Sequence, residues 1–106
     1  MKTTIASLFV AAGLLIAGNA VAVDMPQLAK ENRCTGCHTI DKKLLGPAWM
    51  DVAKKYKGDK KAPAMLAEKI KKGGGGVWGP MAMPAQATVK DADVKALVKF
   101  ILGLAK

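Results

Sequence analysis

Cysteine, histidine and aromatic residues are scarce in this chain of 106 residues. It contains two cysteines, one histidine and only two Trp, two Phe and one Tyr. Two cysteines are too few for a small fold held by several disulfides, and too few for a four-thiolate zinc site. The length excludes a multidomain enzyme and fits a single domain.

The sequence also lacks the sustained alternation of apolar and polar residues that is typical of β-strands. Helical spacing is present instead and predicts four helices. The first begins near a capping box at Asp24–Gln27 and runs towards Arg33, the second follows Pro47, and the third runs from Pro63 to Gly73. The fourth carries a continuous apolar stripe: Val94, Leu97, Val98, Ile101 and Leu102. We therefore expect an all-α domain of four to five short helices.

The N-terminus has the pattern of a secretory signal peptide. Lys2 supplies the positive charge, residues 5–17 form the apolar core, and Ala20–Ala22 supplies the small residues of a cleavage site. The alternative is an uncleaved membrane anchor, but the apolar core is well short of the ~20 residues that a spanning helix needs. We predict that residues 1–22 are removed, leaving a periplasmic domain of residues 23–106 that is not inserted in a membrane.

The segment Cys34–His38 reads Cys-Thr-Gly-Cys-His, the attachment sequence of c-type haem. Two thiols three positions apart on the last turn of a helix reach the two vinyl groups of a haem, and His38 then binds the iron. Two alternatives are a redox dithiol and half of a zinc site. A thioredoxin-like dithiol belongs beside a βαβ pattern, which is absent here, and no further Cys or His exists to complete a zinc site.

The sixth iron ligand is expected to be a methionine, because the chain has no second histidine. The mature chain offers five: Met25, Met50, Met65, Met81 and Met83. The first lies too near the attachment helix, and the next two fall within predicted helices, where Met is more often a core filler. The last two lie in the Gly/Pro-rich loop Gly79–Pro84. The residues alone leave both open, with a slight preference for Met83, because Pro84 favours an extended conformation of the preceding residue.

Four segments in this order resemble the small bacterial class I cytochromes c of the c-551/c-552 type: Cys34–His38, Leu45–Ala48, Gly76–Pro80 and Met83-Pro84. The resemblance extends from about Asp24 to Leu104. It implies the class I cytochrome c fold, with four to five short helices wrapped around one covalently bound haem c.

The resemblance also implies the roles of single residues. It selects Met83 as the iron ligand and leaves Met81 to packing. It implies that the carbonyl of Pro47 orients the ring of His38, and that Trp78 lies against the haem and bonds a propionate; the alternative for Trp78 is a plain core tryptophan. The chain departs from the family at Gln86, where relatives have Asn, and at Lys69, which replaces a common Arg that contacts a propionate.

A run of glycines, Gly73–Gly76, precedes the Trp78 segment. A phosphate-binding loop is a weak interpretation, because the Lys-Ser/Thr that completes such a loop is absent. We expect the run to end the third helix and to let the loop that carries Met83 fold over the haem.

Basic residues outnumber acidic ones by 17 to 8, which gives a net charge of +9. Export argues against nucleic acid as the partner. The alternatives are an ordinary solvated surface and a positive surface that steers the protein towards acidic redox partners.

The resemblance implies an electron carrier, not an enzyme, that works as a monomer between a quinol-oxidising complex and a nitrite reductase, terminal oxidase or peroxidase. If Met83 did not bind, a five-coordinate haem sensor or peroxidase-like protein would remain.

Overall fold

The computed structural model describes residues 23–105, and the predicted signal peptide lies outside these residues. Four α-helices follow one another: α1 (Gln27–Glu31), α2 (Trp49–Lys55), α3 (Ala62–Lys72) and α4 (Asp91–Leu102). A 3₁₀ turn at Cys34–Gly36 lies between α1 and α2. Within the described residues there is no strand, only an isolated bridge between Gly74 and Met83. The prediction of an all-α domain is confirmed.

The first helix is shorter than the sequence predicted. It ends at Glu31, where the side-chain amide of Asn32 donates a 2.9 Å hydrogen bond to the carbonyl of Leu28. Arg33 then adopts a left-handed conformation with φ of 61°. This reversal separates α1 from the turn that begins at Cys34, so the prediction that the cysteines lie on the last turn of the first helix was wrong.

The predicted capping box at the start of α1 was also wrong. Pro26 is the residue that caps the helix, in an extended conformation and without a side-chain hydrogen bond to the first turn. Asp24 therefore lies outside the helix, two positions before the capping residue. Proline in the extended region has a fixed φ and sets the entry of the chain without any carboxylate cap.

The other three helices lie where the apolar spacing placed them. Helix α3 ends at Lys72 and is followed by Gly73 with φ of 73°, as expected for a helix that stops at a glycine. Helix α4 packs against α2 and α3 and touches α1. The residues at the centre of this packing are buried and apolar: Ala29, Trp49, Val52, Val89, Val94, Leu97, Val98 and Ile101.

This packing supports two long connections that carry the sequence motifs, residues 37–48 and 73–90. Trp49, at the start of α2, joins the first connection to the core: its ring lies 5.7 Å from the His38 ring and 5.9 Å from the Phe100 ring, centroid to centroid. Helix α4 therefore supports the His38 side chain through one intervening aromatic residue. Between residues 23 and 105, no helix is long and apolar enough to cross a membrane.

Candidate functional site

One cleft brings together the residues that the sequence singled out. Its volume is about 300 Å³, at the lower end of the ~300–1,000 Å³ that is usual for cofactor and ligand sites. Six predicted site residues line it: Cys34, Cys37, His38, Pro47, Trp78 and Met83. The first four precede α2 in the sequence, and Trp78 and Met83 follow α3. The fold therefore brings together two parts of the site that are separate in the sequence.

The ring of His38 is held by the backbone of Pro47. Its Nδ1 atom lies 2.8 Å from the Pro47 carbonyl oxygen. A carbonyl oxygen only accepts hydrogen bonds, so Nδ1 carries a proton, and in the neutral ring Nε2 is then the nitrogen with the lone pair. The arrangement therefore selects the tautomer in which Nε2 is the nitrogen available to bind a metal.

Gly46 leaves room for that ring. A Cβ atom added at Gly46 would lie 2.6 Å from Cε1 of His38 and 3.0 Å from its Nδ1. The Gly46 amide also donates a 2.8 Å hydrogen bond to the carbonyl of Cys37, which fixes the backbone of the connection next to the ring. The sequence motif thus combines two requirements: a glycine for space and a proline carbonyl for orientation.

Replacing Gly46 with alanine is expected to displace the His38 ring. Because the ring is hydrogen-bonded to Pro47 and its centroid lies 5.7 Å from that of the Trp49 ring, it has little freedom to move away from the new methyl group. We expect a loss of about 1–3 kcal/mol in the free energy of unfolding, as for other overpacked sites. Denaturant unfolding and the yield of haem-loaded protein measure the effect; unchanged stability and yield would contradict it.

No disulfide joins Cys34 to Cys37, and both side chains are partly buried. The amides of Cys37 and His38 both donate to the Cys34 carbonyl, at 3.2 and 2.9 Å, which folds the attachment motif into a tight turn. Burial raises the pKa of the Cys34 thiol. A reactive redox dithiol has a lowered thiol pKa, so this environment does not favour the dithiol alternative. Within residues 23–105, no three His, Cys, Asp or Glu side chains lie close enough together to hold a metal ion.

The backbone of Met83 is paired with the glycine run. The Gly74 amide donates to the Met83 carbonyl at 3.0 Å, and the Met83 amide donates to the Gly74 carbonyl at 2.8 Å. Sequence reasoning found the end of α3 at Gly73 but missed this pairing. A signal for it exists, because a run of four glycines is the place where two backbones approach closely.

The two candidate methionines differ in their surroundings. Both line the cleft, but Met83 is partly buried and its backbone is paired, whereas the side chain of Met81 is 62% exposed. Trp78 lines the cleft and is 38% exposed, and its contact with the haem stays a prediction. The core tryptophan of this domain is Trp49. The Lys55 ammonium lies 5.8 Å from the centre of the Trp78 ring, at the rim of the cleft.

Comparisons with known proteins identify the family. The cytochrome c family model matches residues 23–105. The chain belongs to the cytochrome c family. It is 47% identical over 104 residues to cytochrome c-552 of Nitrosomonas europaea, an alignment that covers 98% of this chain and 99% of that protein.

Solved structures give the same result for the fold. The crystal structure of wild-type cytochrome c552 from Nitrosomonas europaea matches with a TM-score of 0.71 at 49% identity, covering 73% of this chain and 95% of that one. The class 1 cytochrome MtoD from Sideroxydans lithotrophicus ES-1 matches with a TM-score of 0.66 at 31% identity, covering 74% and 90%. This cytochrome c therefore has the class I fold that its sequence resembled.

The walls of the cleft suit the haem of this family. Among the described residues, seven large apolar side chains are exposed, and five of them line the cleft: Leu45, Met65, Val77, Trp78 and Met81. So much exposed apolar surface in one place marks a binding site for a large apolar group. With one pair of cysteines, this cytochrome c carries one covalently bound haem c and is a one-haem electron carrier.

Proposed function

We propose that this cytochrome c is a soluble periplasmic electron carrier, formed by residues 23–106 after removal of residues 1–22, with His38 and Met83 as its iron ligands. One observation carries the proposal. Both residues line the cleft that contains Cys34 and Cys37, and the backbone holds each of them: His38 through Pro47, and Met83 through Gly74.

Each of these residues has a defined task. Cys34 and Cys37 would hold the haem through thioether bonds, Nε2 of His38 would bind the iron, and the thioether of Met83 would bind it as a soft ligand that favours the ferrous state. When bound, the haem supplies one-electron chemistry between Fe(III) and Fe(II). The carbonyl of Pro47 strengthens His38 as a ligand by accepting its Nδ1 proton in a hydrogen bond.

The chain keeps both ligands in place while the charge of the site changes. Nδ1 of His38 is anchored on a backbone carbonyl, and Met83 is fixed by two backbone hydrogen bonds. Neither ligand therefore needs to move when an electron arrives or leaves. With His38 and Met83 as its ligands the iron would have no position free for a substrate, and we propose that the protein is not an enzyme.

Two polar side chains of the cleft suit the haem propionates. We assign one propionate to the indole N–H of Trp78, as in the resembling family. Lys69 also lines the cleft, and its ammonium lies so close to Gly74 that a Cβ atom there would be 2.8 Å from it. Lys69 supplies positive charge to a propionate as a point charge, without the planar two-pronged contact of an arginine.

The basic surface directs the carrier to its partners. We propose that this monomer docks transiently on acidic surfaces of a quinol-oxidising complex as donor, and of a nitrite reductase, terminal oxidase or peroxidase as acceptor. The net charge of +9 for the full chain supports this, because a large charge of one sign steers association with oppositely charged surfaces. Such contacts are small and short-lived, and they need no large apolar patch.

The bimolecular rate of electron transfer with an acidic partner is expected to fall steeply as salt is added. Screening acts over about 8 Å at physiological ionic strength, so steering is lost when salt shortens that distance. We expect a fall of at least about tenfold between low and high salt in stopped-flow measurements. A rate that does not depend on salt would show that the lysines are only a solvated surface.

The visible spectrum of the protein purified from the periplasm tests the proposed function. A low-spin c-type spectrum, with a weak far-red sulfur-to-iron band in the oxidised form, is the expected result. High-spin features with ready CO binding would instead indicate a five-coordinate sensor or peroxidase-like protein. Absence of haem absorbance would leave only the dithiol alternative.

A further inference from the structure

The backbone segment from Met83 to Val89 lies along the C-terminal end of α3. It is attached at three points to the helix or to the residues that directly follow it. Met83 pairs with Gly74, just beyond the helix. The Gln86 amide donates a 2.8 Å hydrogen bond to the carbonyl of Ile70. The Lys71 ammonium donates a hydrogen bond to the carbonyl of Val89. The first two attachments join backbone to backbone, so only the third depends on the identity of a side chain.

The hydrogen bond from Lys71 to Val89 anchors the end of the segment that is farthest from Met83 in the sequence. Val89 is 5% exposed and belongs to the buried core, immediately before the start of α4 at Asp91. The residue that caps α4, Lys90, makes no side-chain hydrogen bond to the helix. Lys71 belongs to α3, and it therefore fixes the point at which the Met83–Val89 segment joins α4.

Lys71 makes a second contact, a 3.0 Å ion pair with the carboxylate of Asp91. Asp91 is 86% exposed, whereas Lys71 is 30% exposed. Exposed ion pairs contribute little to stability, while a charged donor on a backbone carbonyl contributes more. We therefore assign the attachment mainly to the hydrogen bond with Val89.

We propose that Lys71 is a positioning residue for the iron ligand: by clamping Val89 to α3 it keeps the Met83–Val89 segment in place and so keeps Met83 on the iron. The inference rests on the proposed ligation by His38 and Met83. Opening of the segment releases Met83 and leaves the iron open to small ligands. The strength of the clamp therefore sets how often that opening occurs.

The chain offers a matched control in the next residue. Lys72 carries the same charge, lies in the same last turn of α3, and pairs with Glu68 one turn earlier at 2.8 Å. Replacing Lys72 with methionine changes the charge near the site as much as replacing Lys71 does. Each replacement also removes one ion pair with an exposed carboxylate, Asp91 for Lys71 and Glu68 for Lys72, so a difference between the two variants reports mainly the bond to Val89.

The test compares imidazole binding to the oxidised, haem-loaded protein in Lys71→Met, Lys72→Met and Lys71→Arg. We expect imidazole to bind about tenfold faster in Lys71→Met, the factor that corresponds to the loss of one charged hydrogen bond. Lys72→Met should stay within about twofold of the parent protein, since an exposed ion pair contributes little. Lys71→Arg keeps a donor for the carbonyl and should restore slow binding. Equal rates in the two methionine variants would overturn the proposal.

A second measurement does not depend on the iron ligand. Hydrogen exchange of the Met83 and Gln86 amides reports opening of the segment directly, since both amides donate to the anchoring carbonyls. We expect exchange about tenfold faster in Lys71→Met and unchanged exchange in Lys72→Met. If the parent protein lacked the far-red band, the ligation proposal would fail, and exchange alone would decide on the clamp: faster exchange supports it, and unchanged exchange overturns it.

Discussion

Replacing Met83 with alanine is expected to abolish the far-red sulfur-to-iron band of the oxidised protein, whereas replacing Met81 with alanine keeps it. Both side chains line the cleft, and both replacements remove one thioether from the same loop. They differ in how the backbone is held, because Met83 is paired with Gly74 while Met81 is 62% exposed. A ligand has to be presented at a fixed position, which the paired residue provides.

The reduction potential should change together with the band. A Met ligand raises the potential of a haem relative to other ligands, and axial ligation spans about 0.8 V across haem proteins. We expect Met83→Ala to lower the potential by a substantial part of that range and to make the iron bind CO readily. Met81→Ala is the internal control and should change neither property. The reverse pattern would show that the ligand is the other methionine.

Replacing Gly73 with alanine is expected to disturb Met83 through the backbone. The backbone at Gly73 has φ of 73°, and a Cβ atom there would lie 2.4 Å from the Met83 carbonyl oxygen and 2.7 Å from the Ala85 amide nitrogen. These neighbours are backbone atoms, so they move only if the whole segment moves. With ψ of −164°, Gly73 lies in a backbone region that is essentially restricted to glycine. Backbone strain of ~1–3 kcal/mol and overpacking of ~1–3 kcal/mol together predict a loss of about 2–6 kcal/mol in the free energy of unfolding.

Gly58 provides the control for a positive φ without a close backbone neighbour. Its φ is 78°, close to that of Gly73, but a Cβ atom there would meet nothing within 4 Å. Gly58→Ala should therefore lower stability by about 1–2 kcal/mol and leave the far-red band unchanged. Gly73→Ala should lower stability further and weaken the band. Equal behaviour of the two variants, by denaturant unfolding and by the spectrum, would contradict the role given to the glycine–Met83 pairing.

Much of the fold could be predicted from local patterns. The stripe of α4 and the stop of α3 at Gly73 follow from helical spacing and from glycine at a helix end, which depend only on neighbouring residues. The start of the domain could not be predicted in this way. Arg33 adopts a left-handed conformation that few non-glycine residues take, and nothing in the local sequence signals it.

The candidate site, like the fold, could be predicted only in part from the sequence. Cys34, Cys37 and His38 form a contiguous motif whose chemistry is readable from spacing, and the contact between His38 and Pro47 lies within the single connection of residues 37–48. The bond between Lys71 and Val89 joins residues 18 positions apart, so it depends on how the end of α3 lies against the start of α4. A lysine near the end of a helix looks like an ordinary surface residue until that packing is known.

The most direct test of the central claim is a crystal structure of the haem-loaded protein. We predict an iron with Nε2 of His38 on one face and the sulfur of Met83 on the other, while Nδ1 of His38 still donates to the Pro47 carbonyl. An iron with one face open, or with Met81 or a lysine amine in place of Met83, would contradict it.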